Sequence, residues 1–159
     1  MSFEIRFATR KDTPLIYQFI LKLAQFEKLS HHVTATVESL EKSLFDLKQA
    51  EVLIGEENDL PVSFMLFYSN YSTFLGKANL YIEDVYVDEP YRHKGYGKNL
   101  FVHLAKIAIE RDCQRIDWSC LNWNEKAIGF YKLLGAKSKD EWLLHRLEKD
   151  GIDELASKK

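Results

Sequence analysis

The run Asn79-Leu-Tyr-Ile-Glu-Asp-Val-Tyr-Val-Asp88, broken at Glu89-Pro90-Tyr91 and continued by Arg92-His-Lys-Gly95-Tyr-Gly97-Lys-Asn99, constrains this chain more than any other stretch. Aromatic and β-branched residues fill its first half, which reads as a buried strand. Two glycines one residue apart then stand just before Leu100, Phe101, Leu104, Ile107 and Ala108, the apolar stripe of a helix that ends near Arg111-Asp112. At such a junction the first backbone N–H groups of the helix have no partner within it, and glycines let the chain turn so that those donors converge on an anion. A phosphate suits the place. A simple loop into a helix is the competing reading, because a lone Gly-x-Gly is a weak signal without context. Arg92, Lys94 and Lys98 supply that context as positive charge. The later glycine of a dinucleotide fold and the Gly-Lys-Ser/Thr of a nucleotide triphosphatase loop are both absent.

The flanking chain reads as one mixed α/β domain. Phe3, Ile5 and Phe7 alternate with Glu4 and Arg6 as in a half-buried strand. Asp12 or Thr13 then caps a helix that has Pro14 in its first turn and an apolar face through Leu15, Ile16, Phe19, Ile20, Leu23 and Ala24 to Phe26-Glu27. Thr36 opens a second, short helix through Leu40, Leu44 and Phe45. Val52–Gly55 and Val62–Tyr68 form a hairpin around Glu57–Pro61, and the segment from Ser69 to Gly76, with Tyr71, Phe74 and Leu75, is an aromatic connector. Ile116, Trp118 and Cys120 give another strand. Asn122–Glu125 begins a helix through Ala127, Phe130, Tyr131 and Leu134 that Gly135 stops. Trp142, Leu144 and Arg146 alternate with Leu143, His145 and Leu147 as a last strand, and the charged tail from Asp150 to Lys159 frays.

Composition narrows the function classes. A net charge of −2 lacks the basic excess of a nucleic-acid binder. No apolar run is long enough to span a membrane, and the first residues show no basic segment leading into an apolar one, so a cytoplasmic protein is the expectation. Cys113 and Cys120 are too few for a disulfide framework and lack zinc-ligand spacing, and His31-His32 belong to no His-Glu-x-x-His pattern; no metal is expected.

Glu83 and Asp84 lie side by side in an apolar, aromatic strand, where unpaired carboxylates are costly to bury. Adjacent strand residues face opposite sides unless a bulge re-aims one, so an irregularity is expected between Glu83 and Tyr86. Pairing of Glu83 with a core cation is the alternative. Acidic walls suit an ammonium-bearing guest. An alkyl amine with a pKa near 10.4 costs roughly 4.6 kcal/mol to deprotonate at neutral pH, and a nearby base lowers that cost.

Arg92-x-x-Gly95-x-Gly97 resembles the acetyl-CoA pyrophosphate motif of the GNAT N-acetyltransferase superfamily. Leu80–Val87, Trp123-Asn124-Glu125, and Phe130-Tyr131-Lys132 with Gly135-Ala136 resemble its diamine (spermidine/spermine) acetyltransferase branch, while Phe26-Glu27-Lys28-Leu29-Ser30 resembles the thialysine acetyltransferases. The resemblance covers nearly the whole chain. It implies a single α/β (α+β) domain over residues 1–159, with a mixed, mostly antiparallel sheet of about six to seven strands, about four flanking helices and a splayed central strand.

The resemblance also implies roles. Acetyl-CoA would be held by Val85, Tyr86, Val87, Arg92, His93, Lys94, Gly95, Tyr96, Gly97, Lys98, Asn124, Lys126 and Tyr131. The backbone N–H groups near Val85 and Val87 would face the acetyl carbonyl and steady the developing oxyanion. Glu83 matches the residue that takes the amine proton and Asp84 one that holds a second cationic centre. Phe26, Glu27, Asp140 and Trp142 match further substrate positions. Phe26 stands where the polyamine enzyme has Tyr and Asp140 where it has Glu, which weakens a polyamine preference. Tyr131 is the general acid for the leaving thiolate, its phenol near pKa 10 against about 8.5 for a thiol.

Alternatives stay open on the residues alone: packing for Tyr131, capping for Asn124, a core position for Trp142. The function expected is direct acetyl transfer to a primary amine of a small cationic substrate; the resemblance further implies a homodimer whose active site draws on both subunits. A non-catalytic acyl-CoA-binding regulator and a protein N-terminal or lysine acetyltransferase are the alternatives.

Overall fold

The computed structural model describes residues 2–159 in two compact units, one running up to Trp123 and one from Asn124 to Lys159. In the first unit five strands form one sheet: β1 (Phe3–Phe7), β2 (Glu51–Glu57), β3 (Leu60–Ser72), β4 (Lys77–Val87) and β5 (Ile116–Trp118). They lie in chain order, antiparallel from β1 to β4, with β5 parallel to β4. The sheet is thus mixed and mostly antiparallel, as expected, with five strands among the described residues rather than six or seven.

β2 and β3 are buried on both faces. Val52, Ile54, Phe64 and Leu66 pack with Ile16 and Phe19 of α1 (Thr13–Phe26) and with Leu44. Leu44 belongs to a π-helical turn, Lys42–Asp46, that continues α2 (Val37–Glu41). Leu53, Met65 and Phe67 alternate with the first set and so face the other way. There α3 (Tyr96–Glu110), which contacts β1 to β4, brings in the fully buried Leu100 and Leu104. Each such side chain contributes about 2 kcal/mol by leaving water. The caps are partly as expected: Thr36 accepts from Ser39 N, whereas the Asp12 side chain does not cap α1 and instead accepts from Thr9 N at 2.7 Å and takes Arg6 at 2.8 Å.

Two hairpins and one close approach within β2 fix the register. Asn58 and Asp59, both with positive φ (49° and 68°), join β2 to β3 as the two central residues of a tight hairpin. Gly55 lies where Phe3 and Ser63 converge; a Cβ there would stand 2.2 Å from Ser63 Oγ and 2.6 Å from the Phe3 ring. The supposed connector from Ser69 to Gly76 is a hairpin instead: β3 runs on to Ser72 and β4 begins at Lys77, because ladder pairing as far as Ser72 with Lys77 outweighs the polar side chains of Ser69 and Asn70.

The second unit contains α4 (Glu125–Leu133) and α5 (Lys149–Ala156). Trp142–Leu147 is not a strand; the alternation is present, but the segment has no ladder partner among the described residues and Trp142, Leu143, Leu144 and Leu147 are all exposed. The tail forms α5 rather than fraying, with a Lys149–Asp153 pair one turn apart.

Candidate active site

The irregularity expected in β4 falls on Glu83. Leu66 of β3 pairs with Asp84 and the next residue, Phe67, with Ile82, so Glu83 is the extra residue of a bulge and stands exposed. Asp84 consequently shares a face with Leu66 and Tyr86, the face that α1 covers. Pairing with β5 covers only Leu80, Tyr81 and Ile82, so Asp84 to Val87 are laddered to β3 alone and no strand pairs with their other edge among the described residues. The strand is splayed, and unladdered backbone groups lie beside the acid pair.

Three carboxylates gather here. Glu27, at the end of α1, is half-buried, and its carboxyl is pushed up by burial and then by Glu83. Burial, then the charges of Glu83 and Glu27, push Asp84 up to about 7. Two aromatic residues border the cluster: the rings of Tyr68 and Tyr81, opposed across β3 and β4, lie 5.3 Å apart, and burial followed by the Glu83 charge raises the Tyr68 phenol. Among the described residues Glu83 makes no ion pair. The unpaired negative charge is what an ammonium guest would relieve.

The turn after β4 is built for an anion. His93 (φ 65°) and Gly95 (φ 83°) are left-handed, and Gly95 is the N-cap of α3 without any side-chain cap. Asn99 N is the first donor to find a helical carbonyl, that of Gly95, which leaves the N–H groups of Tyr96, Gly97 and Lys98 for a ligand. A Cβ at Gly95 would meet nothing within 4 Å, so the backbone there is open to close approach.

Side chains of the turn are largely committed to holding it. Arg92 Nε donates to Val87 O at 2.8 Å, and its guanidinium carbon lies 5.1 Å from the Phe26 ring centre and 5.3 Å from that of Tyr86. Lys94 Nζ donates to Glu57 Oε1 at 2.8 Å, and Tyr96 Oη donates to the same oxygen. Lys94 and Tyr96 together hold the Glu57 carboxyl below its usual range, while Glu57 raises the Tyr96 phenol to about 12. Phe3 stacks on Tyr96 at 3.8 Å. His93 and Lys98 are exposed. Sequence reasoning had Lys94 only as a loose positive charge; its partner Glu57 lies 37 residues away and nothing local announces it.

This combination of a bulged, one-sided strand and an uncapped helix start fits the pantetheine arm and diphosphate of a coenzyme A thioester. The sequence matches the Acetyltransferase (GNAT) family over residues 17–136. The chain belongs to the GNAT acetyltransferase family. As such it is an N-acetyltransferase, and acetyl-CoA is the cosubstrate its family implies.

It is 37% identical to the thialysine N-epsilon-acetyltransferase of Mus musculus, covering 99% of both chains. It is 32% identical to an L-ornithine N5-acetyltransferase of Arabidopsis thaliana, over 95% of this chain and 86% of that one. Among solved structures, an integron cassette protein from the mobile metagenome of V. cholerae superposes with a TM-score of 0.82 at 28% identity, covering 99% of each chain.

The remaining sequence-selected residues of this GNAT chain lie in the second unit. Asn124 caps α4, its Oδ1 accepting from Ala127 N at 3.3 Å. Tyr131 on α4 is half-buried, with its ring 5.7 Å from that of Phe130, and Lys126 is exposed. Asp140 accepts from Ser138 Oγ and is exposed. Trp142 is 77% exposed, which excludes the core position weighed for it. Among the described residues no helix is long and apolar enough to cross a membrane, and no three His, Cys, Asp or Glu side chains are grouped to hold a metal.

Proposed function

We propose that this GNAT enzyme acetylates the primary amine of a small cationic substrate by direct attack on acetyl-CoA. The observation that carries the reading is the bulge at Glu83, beside which an acid cluster adjoins a strand edge with no ladder partner that ends five residues before Arg92 and its glycine turn. The names of the relatives, which act on thialysine and L-ornithine, point the same way.

In this scheme the N–H groups of Tyr96, Gly97 and Lys98 hold the diphosphate, with His93 and Lys98 adding charge. Backbone donors near Val85 and Val87 meet the acetyl oxygen as it gains charge. Glu83 takes the ammonium proton, directly or through water, while Asp84 and Glu27 hold the cationic guest. The amine nitrogen bonds to the acetyl carbon as the carbon–sulfur bond breaks, and Tyr131 Oη returns a proton to the departing thiolate. Asn124 and Lys126 are assigned to the coenzyme arm, and Phe26, Asp140 and Trp142 to the guest. The whole chain acts as a single domain, in a cytoplasmic homodimer.

Steady-state assays of CoA release with putrescine, spermidine, thialysine, L-lysine, L-ornithine and a histone-tail peptide test this. The expected result is turnover of at least one small amine, no turnover of the peptide, and no acetylated protein by mass spectrometry during turnover. Coenzyme binding without turnover of any amine would contradict it.

A further inference from the structure

In the reading above, the N–H groups of Tyr96, Gly97 and Lys98 take the diphosphate of the coenzyme, which leaves its remaining phosphate, the 3′-phosphate of the adenosine, without a partner. That phosphate stands one ribose away from the diphosphate, so a site for it has to open close to Gly97. A groove of about 270 Å³ opens there, between β1 and one flank of α3. Phe3 and Ile5 line it from the strand, and Asn99, Val102, His103 and Lys106 from the helix. Those four helical residues follow the spacing i, i+3, i+4 and i+7 and so share one face. Phe3, stacked on Tyr96, joins the groove to the first turn of α3.

The groove suits an anion. Among the described residues no carboxylate lines it. Lys106 is exposed and His103 half-buried, and neither side chain makes a hydrogen bond or an ion pair among the described residues. Two cations of the turn itself are already committed, Lys94 to Glu57 and Arg92 to Val87 O and two rings. From Gly97 the helix rises about 9 Å to His103 and about 13 Å to Lys106, and helical side chains tilt toward the N-terminus, so both lean back toward the turn. Val102 and Ile5 beside them offer apolar surface to a base.

We infer that this groove receives the adenosine 3′-phosphate end of the coenzyme, with the phosphate at His103 and Lys106, the ribose at Asn99 and the base against Val102 and Ile5. This rests on the glycine turn as the diphosphate site and extends that site along α3. His103 and Lys106 set coenzyme affinity and take no part in acetyl transfer.

Isothermal titration at fixed ionic strength tests it with acetyl-CoA and 3′-dephospho-acetyl-CoA, ligands that differ by that phosphate alone. The proteins are the wild type, His103→Gln, Lys106→Gln, the double variant and Lys126→Gln. The wild type should bind acetyl-CoA about tenfold more tightly than the dephospho ligand, as for a phosphate held by charge-assisted hydrogen bonds. That ratio should fall to about threefold in each single variant of the groove and to about one in the double variant. Affinity for the dephospho ligand should stay within about twofold throughout the groove variants, which also shows that they fold. Lys126→Gln should keep the ratio. A ratio near one in the wild type, a ratio that survives in the double variant, equal weakening of both ligands there, or loss of the ratio in Lys126→Gln overturns the groove assignment and leaves the glycine turn standing. A wild type that binds neither ligand overturns both.

Discussion

The guanidinium of Arg92 lies over the ring of Phe26, 5.1 Å from its centre, and so ties the glycine turn to the end of the helix that carries Glu27. Tyr86 receives the same cation from the strand side at 5.3 Å, and Val87 O takes the Nε proton. One planar group thereby fixes the two walls on which Glu27 and Asp84 stand relative to the turn before α3.

Replacing Arg92 by lysine keeps the charge and loses the planar contact with two rings. Cation–π contacts of this kind are worth about 1 kcal/mol each. Arg92→Lys should therefore raise KM for the amine about tenfold as well as weakening coenzyme affinity. Steady-state kinetics with isothermal titration of acetyl-CoA separates the two effects. A loss confined to the coenzyme would mark Arg92 as a direct phosphate ligand instead.

Glu57 positions the turn through Lys94 and Tyr96 and sits on β2, whereas Glu83 and Asp84 sit on β4. Glu57→Gln should raise the dissociation constant for acetyl-CoA several-fold and leave kcat at saturation unchanged. Tyr96→Phe, which keeps the Phe3 stack, should show a smaller effect of the same kind. A fall in kcat with normal coenzyme affinity would contradict the assignment.

The Asp84 carboxyl, at about 7 when folded against an ordinary 3.8, binds a proton more tightly in the native state. Its contribution to stability is therefore complete below pH 4 and is lost as pH rises through 7. Asp84→Asn should raise stability at pH 8 by about 2 kcal/mol, roughly half of the full displacement because the carboxyl keeps some contact with solvent. Over the same range the wild type gains the charge that holds a cationic amine, so its amine KM should fall from pH 6 to 8 and that trend should flatten in Asp84→Asn. Thermal melts and KM profiles across pH 5.5–8.5 check both.

Gly55→Ala drives a methyl group into Ser63 Oγ and the Phe3 ring, both under 3 Å away. Overpacking of this kind costs about 1–3 kcal/mol. Because Phe3 stacks on Tyr96, the loss should appear in denaturant melts together with weaker acetyl-CoA binding.

What was legible in the sequence was what depends on neighbours along the chain. The strand, glycine turn and helix from Asn79 to Glu110 could be read locally, and two adjacent carboxylates in an apolar strand were enough to place a bulge, which fell on Glu83. Trp142–Leu147 shows the limit: period-two alternation marks a tendency, while a strand needs a ladder partner, and the segment has none among the described residues. α5 escaped notice because Gly151 and five charged residues between Glu148 and Glu154 hide its pattern, although Lys149 and Asp153 are spaced for one turn. The Glu57–Lys94–Tyr96 cluster and the groove between β1 and α3 depend on which elements lie side by side, and no local signal carries that.

The central claim is that the unladdered edge of β4 and the uncapped start of α3 hold the acetyl donor beside the acid cluster. Amide chemical shifts recorded during titration of the ¹⁵N-labelled protein with acetyl-CoA test it most directly. The account predicts the largest changes at Val85, Val87 and Gly95 through Lys98, with smaller ones at Glu83 and Asp84. Saturable binding that leaves those amides unmoved and shifts others would contradict it.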